Sequence, residues 1–63
     1  MTLIELLKKF ADGETSAIDT IHQVSSMFNP AYAVDLLSVI CQIARVEKGE
    51  MNMRTFKKVY SLD

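Results

Sequence analysis

The stretch that decides the fold is PAYAVDLLSVICQIARVEK, residues 30–48. Of its 19 residues, 12 are apolar, which is more than the single core-facing stripe of a surface helix requires. Four polar residues interrupt the apolar run at spacings of 3, 4 and 3: Asp35, Ser38, Gln42 and Arg45. At about 100° per residue these four positions share one narrow strip of a helix. The stretch therefore predicts one long helix over 30–48 that is apolar around most of its circumference.

A first, shorter helix is predicted over 3–11. Thr2, followed three residues later by Glu5, has the pattern of a capping box. Asp12-Gly13 ends this helix, because glycine readily adopts the left-handed conformation found after helix C-termini.

A second helix is predicted over 16–28, since Thr15 or Ser16 can serve as its N-cap. Apolar residues recur along it at helical spacing, and the predicted core stripe consists of Ile18, Ile21, Val24 and Phe28. The side predicted to face solvent consists of Asp19, Thr20, His22, Gln23 and Ser26.

Asn29-Pro30 separates the second helix from the long one. Proline disfavours a helical conformation in the residue before it and fits the first turn of the helix that it opens. The turn is therefore short, and the two helices are predicted to pack as a hairpin. After Lys48-Gly49 a last helix is predicted over 53–60, with Asn52 as its cap.

The predicted fold is a single all-α domain, residues 1–63: a small three- to four-helix bundle organised around one long apolar central helix. At 63 residues such a domain buries only about 60% of the surface of its unfolded chain. Small folds often gain stability from disulfides, a metal or a second subunit. One cysteine, Cys41, and one histidine, His22, supply neither a disulfide nor a four-ligand zinc site. We therefore expect no metal and no cofactor, and self-association is the remaining way for this fold to gain stability.

Charge and the N-terminal sequence bear on partners and localisation. A net charge of −1 with 24% charged residues favours neither nucleic acid nor an acidic surface as partner. Residues 1–5 place no basic region before their apolar residues, so no signal peptide is expected. No apolar run approaches the ~20 residues that a bilayer requires. We expect a cytoplasmic protein without membrane contact, and a lone cysteine suits that reducing compartment.

The apolar arc of the long helix has two explanations, and the sequence leaves both open. Either the other helices wrap this one within the chain, or part of the arc binds another copy or a foreign chain. The flanks of the arc, together with two adaptable methionines nearby, make up the predicted protein interface: Tyr32, Val34, Leu37, Val39, Cys41, Val46, Met51 and Met53. We expect a homodimer.

Enzyme activity is not expected. His22 has no acidic, serine or cysteine partner at a catalytic spacing, and Cys41 is expected to behave as a small buried hydrophobe inside its apolar run. The predicted function is that of a non-catalytic protein–protein interaction module acting as an adaptor, inhibitor or regulatory subunit. The alternative is a nucleic-acid-binding regulator that uses the basic residues of the last helix in a dimer: Arg54, Lys57 and Lys58.

Overall fold

Four α-helices and one 3-10 turn make up the computed structural model, which describes residues 2–27 and 29–62, without the side chains at positions 32 and 34. The helices are α1 (Leu3–Ala11), α2 (Ala17–Ser26), α3 (Ala33–Glu47) and α4 (Met53–Tyr60), and the 3-10 turn Pro30–Tyr32 precedes α3. The residues described include no strand. The all-α class is therefore confirmed, with four helices.

The helices begin where side-chain caps are available. Thr2 Oγ1, Ser16 Oγ and Asn52 Oδ1 each accept a hydrogen bond from the backbone N–H three residues further on, at 3.2, 3.1 and 2.8 Å. Asn29 Oδ1 accepts the N–H of Ala31 at 2.9 Å and opens the 3-10 turn. Such caps satisfy N–H groups that have no partner inside the helix and contribute about 1 kcal/mol each.

Three helices end in the same way, with one residue in the left-handed conformation. Gly13, Gly49 and Ser61 have φ values of 80°, 79° and 54°. In each case the next residue donates its N–H to the carbonyl oxygen five positions back, at 2.8 to 2.9 Å, as in a Schellman motif. The turn at Ser61 is followed by Leu62, which is buried against the core.

The stretch 30–48 does not form one long α-helix. Its first three residues form a 3-10 turn that leads directly into α3, and α3, with 15 residues, is the longest of four short helices. Pro30 lacks an N–H and fixes its φ, and a tight 3-10 turn is common where a helix begins. The second predicted helix also ends earlier, at Ser26; Phe28 lies outside the described residues.

The four helices are arranged as a ring, and α3 is not a hub. α2 and α3 pack together as predicted, and α3 also packs against α4, which packs against α1, which packs against α2. Among the described residues, the backbone of α1 does not come close to that of α3, and the backbone of α2 does not come close to that of α4. Because α3 has two helical neighbours instead of three, the other helices do not wrap it.

The core lies inside the ring and draws on every helix. Its fully buried side chains are Leu6, Leu7, Thr20, Val24, Ile43 and Phe56. Phe56 contacts Phe10 edge to face, with ring centroids 5.4 Å apart, and Tyr60 at 5.0 Å. Burial raises the pKa of the Tyr60 hydroxyl above its usual value. All four helices thus build the core, instead of the single long helix that was expected to organise it.

The buried face of α2 differs from the predicted one. Ile18 was expected in the core but is 67% exposed, whereas Thr20 was expected in solvent and is completely buried. The Thr20 hydroxyl donates to the backbone carbonyl of Ser16 at 2.7 Å, so its burial leaves no unpaired polar group. Ala17 is buried beside it. α2 therefore turns the side that carries its small residues, Ala17 and Thr20, towards the core.

The dimensions are those of one folded chain. The radius of gyration is 10.8 Å, against about 10.6 Å expected for a compact domain of this length. The accessible surface is 4253 Å², against about 4,100 Å² expected for a folded monomer of this mass. The ring of helices therefore closes a core within a single chain.

Candidate protein-interaction surface

The solvent-facing side of α3 carries apolar side chains where a surface helix normally carries polar ones. Leu37 is 58% exposed, Cys41 one turn further is exposed as well, and Ala44 is partly buried. Spaced four and three residues apart, these side chains are neighbours along the helix surface. We call Leu37, Cys41 and Ala44 the outer stripe.

The opposite side of α3 belongs to the core. Leu36, Val39 and Ile43 are at most 6% exposed. At about 100° per residue, Cys41 lies nearly opposite the centre of these three positions. Since α2 and α4 are the helices that pack against α3, they cover this inner side. On the outer stripe, Leu37 and Cys41 stay exposed and Ala44 is partly buried.

The predicted interface residues separate into groups. Val39 lies in the core of its own chain, so it is not available for contact with another chain, because the ring turns this flank of α3 inwards. Val46, Met51 and Met53 are partly buried and pack against that core. Leu37 and Cys41 are the exposed ones. Tyr32 and Val34 fall outside the described side chains.

The polar strip predicted on α3 is narrower than expected. Asp35, Ser38 and Arg45 are exposed, but Gln42 is partly buried. Its Oε1 atom is buried, and no hydrogen-bond partner for it occurs among the described residues. The outer face of α3 therefore combines the outer stripe with an adjoining edge of polar side chains, one acidic near its start and one basic near its end.

The two residues considered for catalysis are both exposed. Cys41 was expected to be buried, yet the structure places it near the middle of the solvent side of α3. His22 lies on α2, also exposed. The side-chain hydrogen bonds of the described residues all run to nearby backbone groups in the same helix or cap.

The described part of the chain brings together no group of three histidine, cysteine or acidic side chains able to hold a metal ion. Nor does any helix in that part combine the length and the apolarity needed to cross a bilayer.

The basic residues of α4 do come together. Arg54, Lys57 and Lys58 line one shallow hollow of about 500 Å³, with Met53 as its apolar contribution. α4 carries two aromatic residues, Phe56 and Tyr60. Phe56 is buried, and Tyr60 is partly buried and packs against it. The hollow can therefore attract an anion, but it lacks the exposed aromatic face on which a base would stack.

A second hollow, which the sequence did not indicate, lies between three helices. Its volume is about 360 Å³, and it is lined by Leu3 of α1, Met27 at the end of α2, and Asp35 and Leu36 of α3. These residues come from three separate segments of the chain and share no motif. Only the packing of the helices brings them together.

No protein-family model, curated protein or solved structure matches this chain. The chemistry and exposure of its surface therefore carry the functional argument.

Proposed function

We propose that this chain is a non-catalytic protein–protein interaction module, acting as an adaptor, inhibitor or regulatory subunit, which assembles through the outer stripe as a homodimer. The observation that carries the proposal is the exposure of Leu37 and Cys41 on the solvent side of the longest helix. An apolar stripe at helical spacing is the surface that a second helix recognises.

Association would bury apolar side-chain surface that the fold leaves exposed. Fully burying a leucine side chain contributes about 1.5–3 kcal/mol. Since Leu37 is 58% exposed, roughly 1–2 kcal/mol per copy remains to be gained on contact. A two-fold dimer uses the same surface from both copies and so gains this contribution twice.

The exposed thiol also supports the proposed cytoplasmic localisation. In an oxidising compartment, an accessible cysteine without a partner in its own chain is open to disulfide exchange with other proteins. Cys41 is exposed and is the single cysteine of the sequence. A reducing compartment keeps it as the small apolar side chain that the outer stripe requires.

Replacing Leu37 by aspartate is expected to weaken dimerisation at least tenfold, because about 1.4 kcal/mol corresponds to each factor of ten and both copies lose their contact. The helical circular dichroism should stay unchanged, since the side chain is exposed. Sedimentation equilibrium at micromolar concentration measures the association.

Val59→Asp provides a matched control, because Val59 is 57% exposed on α4 and Leu37 is 58% exposed on α3. The control should dimerise like the wild type. A wild-type chain that stays monomeric throughout the concentration range, or a control that dissociates as readily as Leu37→Asp, would count against the proposal.

A second candidate function is that of a nucleic-acid-binding regulator, favoured by the single hollow that Arg54, Lys57 and Lys58 line. A dimer would present six such cations, and phosphate contacts are strongest at low salt. The interaction-module proposal expects no detectable binding to nonspecific duplex DNA or RNA at about 50 mM salt. Binding that is lost in the variant Lys57→Gln/Lys58→Gln would favour the regulator instead.

A further inference from the structure

We infer that α3 pairs with α3 of a second copy in antiparallel orientation, with the two-fold axis level with position 39. The inference rests on the proposed function, because it gives the arrangement of the partner on the outer stripe. Three features of the outer face of α3 lead to it: the spacing of its apolar residues, the distribution of its charges and its length relative to the domain.

The spacing of the outer stripe suits an antiparallel pair. Leu37 and Cys41 lie two residues before and two residues after position 39. A two-fold axis at that level places Leu37 of one copy directly opposite Cys41 of the other. Each contact then combines a large side chain with a small one, which lets packed helices interdigitate. A parallel pair would instead set leucine against leucine and cysteine against cysteine.

The charges of α3, together with that of Lys48 directly after it, also favour this orientation. Between positions 33 and 39 Asp35 is the charged residue, whereas positions 40–48 hold Arg45, Glu47 and Lys48, a net charge of +1. All four are exposed. An antiparallel pair therefore brings ends of opposite charge together and also opposes the two helix dipoles.

Lys48 separates the two orientations more sharply. It continues the spacing of the outer stripe, four residues after Ala44. In a parallel pair the two Lys48 ammonium groups would face each other along the contact.

The length of α3 matches the contact that a small domain can offer. Its 15 residues extend about 22 Å, and the domain measures 29 × 22 × 21 Å. α3 is thus about as long as the two shorter dimensions of the domain. A standard interface takes about 800 Å² per partner, roughly a fifth of the 4253 Å² surface.

Disulfide trapping in a glutathione redox buffer tests the orientation. With helix axes 8–10 Å apart, residues 37 and 41 of opposite chains have Cα atoms about 5 Å apart in the antiparallel pair, within disulfide reach, whereas the two Cys41 Cα atoms are about 7.5 Å apart, beyond it. Leu37→Cys should therefore form a linked dimer on a non-reducing gel. The wild type and Leu37→Cys/Cys41→Ser should remain unlinked.

Ser25→Cys, which adds a thiol at an exposed position of α2 and keeps Cys41, controls for random collisions and should also stay unlinked. A wild-type chain that links through Cys41 would show a parallel pair and overturn the inference. So would a chain that sediments as a dimer but gives no linked Leu37→Cys. A chain that sediments as a monomer contradicts the proposed function itself, so the two failures are distinguishable.

Discussion

Replacing Phe56 by alanine is expected to lower the free energy of unfolding by about 3–5 kcal/mol. The ring is completely buried and packs against Phe10 and Tyr60, so truncation loses its transfer free energy and leaves a cavity between α1 and α4. A domain of this length has a total stability of roughly 3–9 kcal/mol. The substitution should therefore remove a large fraction of the total stability and lower the urea midpoint accordingly, as measured by urea denaturation followed by circular dichroism.

Val59→Ala on the same helix is the matched control. Val59 is 57% exposed, and surface substitutions usually change stability by less than about 0.5 kcal/mol. If Phe56→Ala shifted the urea midpoint no further than Val59→Ala does, α4 would not be docked in the ring through Phe56 as the structure describes.

Ile43→Asp should abolish cooperative folding. Ile43 is completely buried on the inner side of α3, and the site offers a carboxylate an apolar surrounding. Burying an unpaired carboxyl group costs several kcal/mol, even when its pKa rises so that the group stays neutral. The far-UV circular dichroism should lose most of its helical signal, in contrast to Leu37→Asp on the outer side of the same helix.

Ile43→Val separates the effect of charge from that of altered packing at this position. It removes one methylene group and is expected to cost about 0.5–1.5 kcal/mol while leaving the chain folded. A folded Ile43→Asp chain with wild-type helical signal would show that this side of α3 faces solvent, and the orientation of α3 would have to be revised.

The helix boundaries could largely be predicted, because the interactions that set them are local. Ser16 and Asn52 accept hydrogen bonds from residues three positions away, and Gly13 and Gly49 adopt the left-handed conformation that ends a helix. The 3-10 turn at Pro30 could not be predicted from spacing alone, because a 3-10 turn and the first turn of an α-helix have the same sequence pattern.

Part of the candidate interface could be predicted as well. The sequence placed Leu37 and Cys41 in the predicted interface on the flanks of the apolar arc, and both are exposed. It placed Val39 in the same set, yet Val39 is in the core. Helical periodicity gives the angle between two side chains but not the direction in which the neighbouring helices lie.

The amino-acid sequence by itself determined that the chain is all-α, where most of its helices begin and end, and that α3 is too apolar for one core-facing stripe. These properties depend on hydrogen bonds and periodicity within a few residues. The tertiary structure decided which apolar side of α3 is covered, which side of α2 is buried, and that the helices form a ring without a hub. These depend on contacts between residues distant in sequence, where total burial and packing of four helices outweigh the preference of any single one.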